Sequence, residues 1–81
     1  MTYRLSYDPE TEPAQDALPP SVSEALTVAL TNACDDPLGA THPYGMADFT
    51  IRQVIVDGAY AVLYVSHQSK TLHVTQIAPL P

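Results

Sequence analysis

Hydrophobic and polar positions alternate in three stretches of the C-terminal half: Asp48–Val56, Tyr60–His67 and Lys70–Ala78. All three are rich in Val, Ile, Thr and Tyr, which suit a pleated, half-buried surface. Asp57-Gly58 and Gln68-Ser69 separate them as tight turns. The pattern therefore predicts a three-stranded antiparallel meander. Near the N-terminus, Tyr3, Leu5 and Tyr7 alternate with Thr2, Arg4 and Ser6, which predicts one short strand.

Between these regions the period changes from two to 3.6. Val22, Ala25, Leu26, Ala29, Leu30 and Ala33 form one apolar stripe, so a helix is predicted over 22–33 and on to about Cys34. Ser21-Val-Ser-Glu24 fits a capping box at its start, and Asp35-Asp36-Pro37-Leu38-Gly39 stops it. Asp8-Pro9-Glu10 resembles an earlier helix start, with Asp8 as the cap. Pro13 shortens that helix to a start near Glu12, with Ala14, Ala17 and Leu18 inward, and Pro19-Pro20 divides the two. The fold class expected is α+β: a short N-terminal strand, a two-helix hairpin and the meander, in a single domain over 1–81. The connection from Asp35 to Ala47 is read as a loop, long enough to be functional or mobile.

Register decides which side chains share a face, because a slip of one residue exchanges the two. A two-residue turn at Gln68-Ser69 sets Val65 opposite Leu72 and Leu63 opposite Val74. A three-residue turn at Asp57-Gly58-Ala59 adds Ile51 and Ile55 to that apolar face. The opposite face then carries Arg52, Val54, Tyr60, Val62, Tyr64, His73 and Thr75. This register also sends Gln53 into the core, which counts against it. Shortening the first turn by one residue would move Arg52 to the other face.

Composition narrows the function. With 81 residues the core is small. Hydrophobic content is 46% and charged content only 15%, which favours a bound partner or a second copy. Net charge is −6, with Arg4, Arg52 and Lys70 the only strong cations, a poor footprint for broad nucleic-acid binding. Seven of the nine acids lie in residues 8–36, so an anion would approach the strand half. A single cysteine, Cys34, excludes an internal disulfide. No leader-like or membrane-spanning run is present, so a cytoplasmic location and no membrane association are expected.

Arg52, Tyr60, Tyr64 and His73 could hold a phosphate and move protons, the arginine stabilising charge and Tyr or His acting as acid or base. The plainer alternative has the tyrosines packed on the sheet surface and Arg52 paired with an acid. His42, His67 and His73 with Asp35 and Asp36 match no ligand spacing, so no metal or other cofactor is expected. No nucleophile elbow or Gly-rich phosphate loop is present.

Taken in order, Tyr3-Arg-Leu, Leu18-Pro19-Pro20, Asp35-Asp36-Pro37-Leu38, Arg52 before Val54, and Gly58-x-Tyr60-x-Val62-Leu63-Tyr64 resemble the RelE/ParE superfamily of toxins from bacterial type II toxin–antitoxin systems. The resemblance covers nearly the whole chain. It implies ribosome-dependent mRNA cleavage or gyrase inhibition, and a cognate antitoxin as partner. It also implies catalytic roles for Arg52, Tyr64 and His73, with Tyr60, Val62 and His67 in binding. Relatives usually carry a basic residue after the tyrosine at position 60 and a basic or aromatic group near the C-terminus. Here those places hold Ala61 and Ile77-Ala-Pro-Leu-Pro81. Weakened or lost activity is therefore expected, the alternative being a non-catalytic interaction module acting as a homodimer or with a partner protein.

Overall fold

The computed structural model describes residues 2–44 and 50–80. The elements run β1 (Arg4–Tyr7), α1 (Thr11–Asp16), α2 (Pro20–Asp35), β2 (His42–Pro43), β3 (Ile51–Val56), β4 (Ala59–Ser66) and β5 (Thr71–Pro79). The α+β class, the N-terminal strand, the helix pair and the meander all appear as expected. The expected meander start at Asp48 and Phe49 lies outside the described residues, as does the end of the loop, 45–47.

The sheet is larger than the meander. Its order is β1-β5-β4-β3-β2. β1 pairs in parallel with β5, Leu5 beside Leu72 and Tyr7 beside Val74. β2, formed inside the stretch read as loop, pairs antiparallel with β3. Neither pairing follows from local pattern, since each joins segments by contacts across the sheet.

The α2 stripe works as its period requires except at Ala25, which is exposed. Leu26, Leu30, Ala33 and Cys34 are buried, and Val22 and Ala29 pack partly against the same core. On the sheet side that core consists of Val54, Ala59, Ala61, Leu63, Val65, Leu72, Val74 and Ile77. α2 packs against β3, β1 and β4, and α1 against β5. Gln15 ties the helices together, its amide donating to Thr27 Oγ1 at 2.9 Å and to the Ser23 carbonyl at 3.3 Å.

Two expected caps differ. α2 begins at Pro20, with Pro19 as its N-cap and no side-chain capping bond, so the Ser21–Glu24 box does not form. Proline at the first helical position has no N–H to satisfy and a preset φ, which starts the helix one residue before Ser21. α1 begins after Glu10, and the Asp8 carbonyl accepts from both the amide and the hydroxyl of Thr11.

Candidate functional site

The turn between β3 and β4 determines the site. Val56 pairs with Ala59, so the turn has two residues, Asp57 and Gly58, not three. Gly58 adopts φ +100, which glycine accepts without steric cost. A Cβ there would also sit 3.0 Å from Val22 Cγ2, so the turn and the start of α2 approach closely.

This register overturns the expected faces. Arg52 lies opposite Leu63 and Val54 opposite Ala61, both on the helix-covered side. Ile51, Gln53 and Ile55 point outward, opposite Tyr64, Val62 and Tyr60. Gln53 thereby leaves the core and donates to the Pro43 carbonyl at 3.0 Å. Arg52 is only 7% exposed. Its Nε donates to Thr41 Oγ1 at 2.9 Å, and its Nη2 to the carbonyls of Thr41 at 3.0 Å and Leu38 at 3.1 Å. The Thr41 hydroxyl in turn donates to the Pro37 carbonyl. The fork geometry of a guanidinium suits this multiple capture of backbone oxygens. Arg52 thus pins the segment entering β2 and does not share a face with Tyr64 and His73.

The same register changes the meaning of Ala61. It is fully buried and faces α2's side of the sheet. A basic residue at position 61 would enter the core, so Ala61 is not a gap in the outer surface.

A second irregularity completes the outer face. Val62 pairs with Gln76 while Leu63 pairs with Val74, leaving Thr75 as the extra residue of a bulge. The Thr75 hydroxyl donates to the Val62 carbonyl at 3.2 Å. Beyond it the alternation changes phase, so Ile77 joins Leu72 and Val74 in the core, and Gln76 and Ala78 face outward. Thr75 therefore does not continue the outward row of His73 as expected. The turn after β4 also differs: Ser66 pairs with Thr71, so it spans 67–70, although the register of Val65 with Leu72 is as expected.

Of the proposed site residues, Tyr60, Val62, Tyr64 and His73 share the outer face. Tyr64 and His73 are cross-strand partners, their ring centroids 5.9 Å apart and their planes tilted by 39°. Tyr64 is exposed, while Val62 is buried between Gln53 and Gln76 in the register. Gln76 Nε2 donates to the Tyr60 hydroxyl at 3.3 Å. His67 sits apart, at the turn end of the sheet, with Nδ1 3.1 Å from the Tyr3 hydroxyl and the two rings edge to face.

Arg4 was missed as a site residue. The parallel pairing sets Arg4 beside Thr71 and Ser6 beside His73. The polar side of the β1 alternation held the signal, but not the identity of the neighbouring strand. Among the described residues, no three His, Cys, Asp or Glu side chains converge on a point that could hold a metal ion. The buried Cys34 thiol and the Tyr7 hydroxyl both titrate above their ordinary ranges, chiefly because burial disfavours their anions.

No protein-family model matches the sequence, and no curated protein matches it. Solved structures do resemble it. A double mutant of E. coli toxin RelE in the free state superposes with a TM-score of 0.82 at 21% identity, over 96% of this chain and 83% of that one. The RelBE2 toxin–antitoxin complex of Mycobacterium tuberculosis gives 0.81 at 12% identity, over 99% of this chain and 100% of that one. The intact E. coli RelBE toxin–antitoxin complex gives 0.80 at 21%, covering 98% of each chain. These likenesses establish the fold, which is that of the RelE toxins.

Proposed function

We propose that this chain is the toxin component of a type II toxin–antitoxin pair and that it acts chiefly by binding, with weak or absent RNA cleavage. The observation that carries this reading is the chemistry of the outer face. Ile51, Gln53, Ile55, Tyr60, Val62, Tyr64 and Ser66 make up the outward positions of β3 and β4, and none is Lys or Arg. Cleavage of RNA in line needs positive charge at the phosphate as well as an acid and a base. Tyr64 and His73 offer proton-handling groups, but Arg52 faces inward, which leaves Arg4, on the edge strand next to His73, as the one outward arginine of the described strands. Structures of the same fold have been solved with antitoxins, which supports a cognate antitoxin as the partner here. Exposed Ile55 and Tyr64 suit a protein contact on this face.

Controlled expression in bacteria, scored for growth, mRNA cleavage and DNA supercoiling, tests this reading. Growth arrest without strong cleavage, relieved by the product of a neighbouring gene, is expected. Cleavage at the level of active toxins, lost in Tyr64→Phe or His73→Ala, would overturn it. The same exposed apolar face favours a second reading, a homodimer with no toxin role. Unaffected growth together with a dimer by light scattering would support that instead. Loss of supercoiling would place the target at gyrase. No helix of the described residues is long and apolar enough to cross a membrane.

A further inference from the structure

The β1 edge of the outer face holds a groove of about 410 Å³ lined by Arg4, Leu5, Ser6, Ser69, Thr71 and His73. Its chemistry differs from the rest of that face. Arg4 is exposed on one wall, three hydroxyl side chains line the groove, and the imidazole of His73 closes the side toward β4. The turn wall is already ordered. Ser69 Oγ donates to Ser66 Oγ at 2.7 Å and to Thr71 Oγ1 at 3.3 Å. None of the lining residues is acidic, and the chain has no carboxylate side chain after Asp57. The Asp35 carboxylate lies beyond the start of β1, where it accepts from the Thr2 hydroxyl at 3.3 Å.

The groove also opens toward an aromatic surface. Ser6, His73 and Tyr64 lie at one level across β1, β5 and β4. Two strand spacings, ~10 Å, separate β1 from β4. An anion at Arg4 and a flat ring over His73 and Tyr64 would be held by one small molecule.

We propose that this groove binds a phosphate monoester bearing an aromatic ring, as in a nucleoside monophosphate, with the phosphate at Arg4 and the ring against His73 and Tyr64. A guanidinium with flanking hydroxyls matches the terminal oxygens of a monoester. Base–aromatic stacking tolerates any base, so the site selects the phosphate and a π-face more than a particular base. A small dianion is also repelled less by a chain of charge −6 than a long polyanion is. The proposal depends on neither the toxin reading nor an antitoxin.

Titration of the isotope-labelled full chain with inorganic phosphate, adenosine and adenosine 5′-monophosphate, followed by two-dimensional NMR, tests it. Amide shifts confined to residues 4–6, 64 and 69–73 are expected, with the monophosphate binding more tightly than phosphate or adenosine. Arg4→Ala should weaken the monophosphate about tenfold, the loss of one charge-assisted contact, and leave adenosine unchanged. Tyr64→Ala should weaken the monophosphate and adenosine but not phosphate. Both positions are exposed, so a native spectrum is expected for each variant. Absence of shifts in the groove, or Arg4→Ala binding the monophosphate as the parent does, would overturn the proposal. Equal binding of phosphate and the monophosphate would overturn the ring contact.

Discussion

Arg52 and Arg4 project from opposite faces of one sheet, and the contrast between their surroundings shows how the two faces divide labour. On the helix-covered face, Leu26, Leu30, Leu63, Leu72 and Val74 are fully buried, and even the charge of Arg52 is drawn in and satisfied by Thr41 and Leu38. On the outer face, Ile55 and Tyr64 remain exposed, and Arg4 stands at the edge of an open groove. An arginine's presence in a strand therefore says little about its role. Its parity in the register decides whether it braces a loop or meets a ligand.

The largest difference should be in stability. Leu63→Ala removes a fully buried side chain and should cost about 2–5 kcal/mol, enough to unfold much of so small a domain. Tyr64→Ala, the next residue on the opposite face, is exposed and should cost about 1 kcal/mol or less. Urea denaturation of the two variants measures this directly. Equal losses would mean that the outer face is also packed as core.

Arg52→Ala should rank next, at about 1–3 kcal/mol, because it leaves buried carbonyl oxygens without their donor. Arg52→Lys should recover only part of this, since one ammonium cannot reproduce the planar fork. Hydrogen exchange locates the effect: amides of 40–42 and 44 should lose protection, while those of 72–76 keep theirs. Uniform loss across the sheet would show that Arg52 supports the core and not the segment entering β2.

How much of this division was legible in the chain depends on the range of the interaction. The α2 stripe, the alternation of β1 and the pairing of Leu63 with Val74 are local patterns, and all three were readable. The face of Arg52 rested on one residue of turn length, and the polar Gln53 in the core already argued for the shorter Asp57-Gly58 turn. The bulge at Thr75 was present in the spacing of Leu72, Val74 and Ile77, which breaks strict alternation. β2 and the parallel partnership of β1 with β5 left no comparable mark, because pairing partners are chosen across the fold. The Arg4 groove therefore could not be read from sequence.

Gly58→Ala tests the turn that fixes the register. The new Cβ would meet Val22 Cγ2 at 3.0 Å on a backbone of φ +100, which non-glycine residues rarely adopt. The cost should be about 1–2 kcal/mol. Combining it with Val22→Ala should return the steric part and leave the backbone part. A single variant as stable as the parent would mean the hairpin can re-form its turn at little cost.

The smallest effect expected is a pH dependence confined to the helix-covered side. Cys34 and Tyr7 both have raised pKa values in the folded chain. Burial comes first in each case; Asp35 adds to it for Cys34, and Cys34 and Glu12 add to it for Tyr7. The neutral forms are thus favoured by folding. Above the ordinary thiol value of 9.0, the unfolded chain releases the Cys34 proton while the folded chain retains it. The unfolded state then binds fewer protons, and stability falls as pH rises. Tyr7 adds the same sign above 10.0. Stability from both groups is fully present at neutral pH and declines through the alkaline range. Urea midpoints at pH 7, 9 and 10.5 should therefore fall in that order, and Cys34→Ala should flatten the first part of the decline. Tyr7→Phe should flatten the later part. If neither variant changes the decline, the buried groups of the helix-covered face do not control the alkaline response.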